Sequence, residues 1–164
     1  MLKLTGAVMI VVAAVIWGIM QADRLKKRQQ ELCRITSALS LLENEISYGK
    51  RDIKNILITV GEIQGVEIFK AAGEYVEECG IKNGFLKAVS DKGEFLSGAD
   101  KEVLSVLAEN LGMTDCVSQV KELSHAKMLL ENSAKAAGSE YEKSGKLYRS
   151  AGALVGLAAV ILLL

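Results

Sequence analysis

Apolar positions follow three patterns along this chain of 164 residues. Residues 4–22 carry no charge and consist mostly of Ala, Val, Ile, Leu, Met and Gly, a run of 19 residues. At about 1.5 Å per helical residue this run covers roughly 28 Å, close to the hydrocarbon thickness of a bilayer. Beyond it the apolar residues narrow to a stripe. Leu32, Ile35, Leu39, Leu42 and Ile46 recur at spacings of 3, 4, 3 and 4, the seam of a packed helix. No Gly or Pro interrupts residues 19–48, so the pattern predicts one helix over residues 2–47, closed by Tyr48-Gly49. The far end mirrors it. Cys116, Val120, Leu123, Leu130, Ala134, Ala137, Tyr141 and Tyr148 keep the same spacing, with Lys127 and Ser144 as weaker members. Thr114 or Asp115 supplies the N-cap. That helix continues into residues 150–164, a second uncharged run of 15 residues. Alone it spans about 22 Å, and Leu147 and Tyr148 extend it while Lys146 and Arg149 snorkel toward the interface.

Between the long helices lie shorter amphipathic stretches punctuated by Gly. Asp52 is placed to cap residues 53–60, where Ile53, Ile56, Leu57 and Val60 share a face. Residues 66–79 carry Ile68, Phe69, Ala72 and Val76 at helical spacing and end at Gly80. Residues 83–90 carry Leu86 and Val89. Ser97-Gly98-Ala99-Asp100 resembles a capping box before Val103, Leu104, Val106, Leu107 and Leu111, with Gly112 as the residue just past the helix. No stretch alternates with period two. Pro is absent, where about eight would be average for this length. The expected fold is therefore all-α: a cytoplasmic bundle of about six helices at residues 24–149, flanked by transmembrane helices at residues 1–23 and 150–164.

Charge sharpens this division. There are 20 basic and 20 acidic residues, and 39 of these 40 fall within residues 23–149. Arg24, Lys26, Lys27 and Arg28 follow the first run directly and no Ala-x-Ala site follows Met20, which favours a retained anchor over a cleaved signal peptide. These four, with Lys143, Lys146 and Arg149 before the second run, place the basic residues on the central side. The positive-inside bias then puts the central region in the cytoplasm. Ala14 and Gly18 on one span, and Gly152 and Gly156 on the other, form small-x-x-x-small faces suited to close helix pairing, within the chain or between copies in a homo-oligomer.

Little in the sequence points to chemistry. A balanced charge gives no footprint for nucleic acid. One His, His125, and the widely spaced Cys33, Cys79 and Cys116 make a zinc site improbable, and Cys33 and Cys116 read as buried thiols on or beside apolar faces. No phosphate-binding glycine motif occurs. Glu43, Glu45, Lys127 and Lys135 read as solvated faces. No catalytic, cofactor-binding or metal-ligating residue is assigned, and the chain is read as a non-enzymatic interaction protein.

One ordered set of positions carries a family resemblance. Met1-Leu2-Lys3-Leu4-x-Gly6-Ala7 leads into the first run, and Leu41-Leu42-Glu43-x-Glu45-Ile46-x-Tyr48-Gly49 follows. Then come Leu107-x-x-x-Leu111-Gly112-x-x-Asp115-x-x-x-Gln119, Lys146-Leu147-Tyr148-x-x-x-Gly152-x-Leu154-x-Gly156 and the terminal Val160-Ile161-Leu162-Leu163-Leu164. The set resembles the stage III sporulation protein AB family of spore-forming bacteria, although Arg51-Asp52 stand where that pattern carries Pro. The resemblance implies a place on the mother-cell side of the channel complex between mother cell and forespore, in the mother-cell membrane. It also implies a helical domain similar to the cytoplasmic domains of the type II secretion inner-membrane protein F, acting as the platform for a secretion-type ATPase, the stage III AA protein. A stand-alone membrane-tethered signalling or adaptor module is the alternative.

The charge asymmetry makes a direct prediction. A membrane-impermeant thiol reagent applied to intact mother cells should leave Cys33, Cys79 and Cys116 unlabelled, while lysed cells label. Labelling of intact cells would reverse the orientation.

Overall fold

The computed structural model describes the backbone of residues 2–48, 52–112 and 115–163, and the side chains of residues 9, 12, 13, 15–47, 52–112 and 115–143. Among them are five helices and no strand: α1 (Leu2–Tyr48), α2 (Ile53–Gln64), α3 (Glu67–Lys92), α4 (Gly98–Asn110) and α5 (Cys116–Leu163). The long first and last helices have the extents that the seams predict. The closing Gly49 lies outside the described residues.

The chain divides into two units, Gln30–Ala134 and the pair of segments Met1–Gln29 and Lys135–Leu164. The Gln30–Ala134 unit holds most of the core. From α1, Leu32, Ile35, Leu39 and Leu42 are completely buried, as their spacing predicts, and Ala38 joins them. From α5, Leu123, Ala126, Leu130 and Ala134 are buried. The short helices add Leu57, Val60, Ile68, Phe69, Ala72, Phe85, Ala88 and Leu104. At about 1.5–3 kcal/mol for each large apolar side chain withdrawn from water, this burial is the main source of stability. Ile46 and Val120, seam positions in the sequence, are half-buried.

Local signals in the sequence set the ends of the helices. Ser97 caps α4 through a complete capping box: its hydroxyl accepts from the Asp100 N–H at 3.2 Å, and the Asp100 carboxylate accepts from the Ser97 N–H at 2.9 Å. This reciprocal pairing explains how Asp100 can be 1% exposed. Asp52 occupies the N-cap position of α2, but its side chain makes no capping hydrogen bond. α2 ends in a left-handed Gly65, and the Val66 N–H reaches back to the Gly61 carbonyl at 2.9 Å.

α3 is two helical arms joined at a kink. Gly80 has φ 77° and ψ 170°, a region essentially confined to glycine. It turns residues 81–92 back along residues 67–79. The arms meet through Phe69 and Phe85, whose rings stand edge to face with centroids 5.5 Å apart. Lys87 lies 4.2 Å over the Tyr75 ring and 3.6 Å from the Glu78 carboxylate. With α3 counted as two arms, the described residues contain the six helical segments that the sequence suggests. α2 packs on α3 at Gly73, where a Cβ would fall 2.6 Å from Ile58 Cγ1 and 2.9 Å from the Lys54 carbonyl oxygen. A larger residue would force the two helices apart.

The long helices are also tied by polar groups. Lys127 Nζ is 3.0 Å from Glu43 Oε2, with about a quarter of each side chain exposed. These two residues, expected as solvated charges, therefore form a half-buried pair between α1 and α5. Cys116 donates its thiol to the Ile46 carbonyl at 3.3 Å. The cysteine expectation needs correcting: Cys33 and Cys116 are exposed and Cys79 is half-buried. Cys33 lies one residue off the buried arc of α1, and Cys116 is the first residue of α5, so neither reaches the core. Glu31 is pushed above the usual carboxylate range by burial, an effect opposed by Arg34 and reinforced by Glu67.

In the other unit Gly18, Ala22, Ala137 and Gly138 are buried, and Gly138 lies so close to the Gln29 side chain that a Cβ would meet its Nε2 at 2.6 Å. Met9, Val12, Ile16, Trp17, Ile19 and Met20 are exposed. Among the described residues no helix is long and apolar enough to cross a membrane. Much of the first expected span, and all side chains of residues 150–164, lie outside them.

The Gly80 turn gives a clean contrast. Gly80→Ala meets no steric obstacle, so its cost is conformational and should be about 1–3 kcal/mol. Gly98→Ala, in the first turn of α4 and facing open space, should leave stability unchanged or raise it slightly. Thermal unfolding of the full chain in detergent, followed by circular dichroism, checks both. Equal melting temperatures would contradict the turn assignment.

Candidate functional site

A concavity among the described residues runs between α4 and α5. Ala99, Glu102, Val103 and Val106 of α4 fall at i, i+3, i+4 and i+7, as do Glu122, His125, Ala126 and Leu129 of α5. Two helices laid side by side, each offering one face, leave a groove of about 290 Å³ with Leu107 at its floor. The groove is positioned by features already described. The capping box fixes the start of α4, and Leu104, Leu107 and Ala108 anchor its opposite side in the core. Gly112, with φ 79°, follows α4. Asp115 caps α5 by accepting from the Ser118 N–H at 3.2 Å, and the hydrogen bonds at this cap hold its carboxyl below the usual range.

The groove wall is apolar and its rim is polar. Val106 is 51% exposed and Leu129 37%. Glu102 and His125 are exposed and Glu122 is half-buried. Glu43, Glu77, Glu78 and Glu109 each pair with a lysine, whereas Glu102 and Glu122 have no ion-pair partner among the described residues. The arrangement can receive apolar side chains and favour cations at its edge. Nothing in it positions a nucleophile beside a base. Among the described residues no three His, Cys, Asp or Glu side chains group as metal ligands. A second, smaller cleft of about 220 Å³ lies at the Gly80 turn, lined by Cys79, Ile81, Lys82, Asn83, Leu111 and Gly112.

The family-pattern positions turn out to be largely architectural. Leu111 is buried, Gly112 follows α4 and Asp115 precedes α5, and the half-buried Gln119 begins the ladder of α5 with its N–H on the Asp115 carbonyl at 3.0 Å. Glu45 is half-buried on α1, and the Tyr48 side chain lies outside the described residues. Among the membrane-proximal basic residues Arg24, Lys26 and Lys27 are exposed, and Arg28 is half-buried, 4.0 Å from Glu140. The side chains of Lys146 and Arg149 lie outside the described residues. Of the expected packing residues Gly18 is buried, while the side-chain positions of Ala14, Gly152 and Gly156 lie outside them.

Sequence reasoning missed the α5 wall of the groove because it committed that helix to its seam. The missed signal was Leu129, an apolar residue beside the seam position Leu130 rather than on it, and Val106, surplus to the buried Leu104 and Leu107.

A protein-family model described as stage III sporulation protein AB matches residues 3–164. The stage III sporulation protein AB of Bacillus subtilis (strain 168) is 31% identical over 171 residues, which cover 100% of each chain. A solved structure of a stage III sporulation protein AB matches with a TM-score of 0.62 at 23% identity, over 70% of this chain and 96% of that one. At that identity the structural likeness speaks for the fold alone.

Proposed function

Because the chain belongs to the stage III sporulation protein AB family, we propose that it is a non-enzymatic membrane platform acting in sporulation, whose helical bundle docks a secretion-type ATPase on the mother-cell side of the channel to the forespore. The membrane part of this reading is carried by one observation. Met9, Val12, Ile16, Trp17, Ile19 and Met20 expose large apolar side chains along one stretch of α1, and the exposed cations Arg24, Lys26 and Lys27 follow immediately. A contiguous apolar surface of that kind is costly in water and stable in lipid. The basic residues mark the side that stays in the cytoplasm. The uncharged residues 150–164 supply the second span, with Gly152 and Gly156 available for close packing.

The docking part is supported by what the bundle offers. It has a well-filled core and an apolar groove on its surface. Within residues 23–149 there are 19 basic and 20 acidic residues, so long-range steering is weak and docking rests on local complementarity. Assembly of several copies on a membrane would raise a modest affinity through multivalency.

The test is copurification. The full chain, co-expressed with the stage III AA-type ATPase and extracted in detergent, should retain the ATPase. Raising the salt to physiological strength should weaken the association only slightly, since little of it is long-range electrostatic. Absence of the ATPase at every salt concentration, with the bundle folded by circular dichroism, would leave the adaptor reading in its place.

A further inference from the structure

We propose that the α4–α5 groove is a docking slot for a short basic amphipathic helix of a partner protein, whose apolar stripe fills the groove and whose flanking Lys or Arg side chains meet Glu102 and Glu122. This rests on the reading that the bundle docks a partner, and deepens it by naming the surface and the chemistry of the segment it takes.

Three features of the groove select this occupant. Its α4 wall runs from Ala99 to Val106, about 10 Å or two helical turns. That length suits side chains projecting from one helix at i, i+3 or i+4, and i+7. Its volume of about 290 Å³ is at the lower limit for a small-molecule pocket, and its polar groups stand on the rim rather than converging inside, so it lacks the means to orient a small ligand. It is suited instead to a few aliphatic anchors, which would cover Val106 and Leu129.

Charge completes the argument. The groove is lined by two carboxylates and no lysine or arginine. Lys101 and Lys121 are adjacent to Glu102 and Glu122 in sequence, yet neither lines it. Some carboxylates of the Gln30–Ala134 unit have cations of their own, as Glu109 has Lys82 at 3.2 Å and Glu43 has Lys127 at 3.0 Å. Among the described residues that line the groove, Glu102 and Glu122 border apolar surface with no lysine or arginine beside them, which favours basic partners and disfavours acidic ones.

The test uses the full chain in phosphatidylcholine nanodiscs and fluorescent helical peptides of about four turns. Each peptide carries a leucine stripe flanked by lysines, or the same stripe flanked by glutamates, and empty nanodiscs supply the lipid background. Fluorescence anisotropy should show the lysine peptide binding at least about tenfold more tightly than the glutamate peptide. Leu129→Gln should weaken the lysine peptide, whereas Val117→Gln, at an exposed apolar position outside the groove, should not. The double reversal Glu102→Lys with Glu122→Lys should invert the preference in favour of the glutamate peptide, an outcome that misfolding cannot produce. Equal affinities for the two peptides, or a preference that survives the double reversal, would overturn the proposal. So would self-association of the chain that Leu129→Gln abolishes, because the occupant would then be a second copy. ATPase copurification is read separately. Its loss with the peptide inversion intact counts against the ATPase reading alone, and its retention with no peptide preference counts against the groove alone.

Discussion

Two helices of 47 and 48 residues, in a chain without proline, each carry an apolar seam that cannot remain in water. Burying Leu32, Ile35, Leu39 and Leu42 on one and Leu123, Leu130 and Ala134 on the other is the constraint on which the bundle depends. It accounts for the close polar ties between these helices, Lys127 to Glu43 and Cys116 to Ile46. It also accounts for the compactness of the connecting segment. α2, α3 and α4 must add apolar cover within a short length of chain, and the chain achieves this with two glycines. Gly80 reverses α3, so that Phe85 meets Phe69, and Gly73 lets α2 approach α3 at backbone distance.

Much of this was legible in the sequence where a local rule decides the outcome. The seam spacing gave both long helices nearly to their ends. The capping box at Ser97 and Asp100 and the cap at Asp115 were readable because a cap needs only neighbours in sequence. Features decided by distant neighbours were not readable. Asp52 sits at a cap position without making the bond. Ala38 and Ala126 are buried although small and off the strict seam. Cys33 beside the α1 seam and Cys116 at the start of the α5 seam are exposed. The groove was illegible for the same reason: its walls come from two helices, and neither wall stands out until they are side by side.

The functional picture joins two surfaces of different character. Six exposed apolar side chains from Met9 to Met20 have the composition of a lipid-facing helix. The groove of the bundle has an apolar wall and a carboxylate rim, the composition of a protein-facing one. Among the positions that carry the family resemblance, Leu111 and Gly112 lie at the end of α4, Asp115 and Gln119 at the start of α5, and none of these four lines the groove.

The central claim is that the seams and the short helices form one cooperative core. Native-state hydrogen exchange on the full chain in detergent, resolved to segments by mass spectrometry across a denaturant series, tests this most directly. Segments around Leu39, Phe69, Phe85, Leu104 and Leu130 should converge on a single opening free energy as denaturant is added. Opening of the α2–α3 segments at a free energy lower by more than about 2 kcal/mol, with the α1 and α5 seams still protected, would show that the short helices are a separate layer and contradict the account.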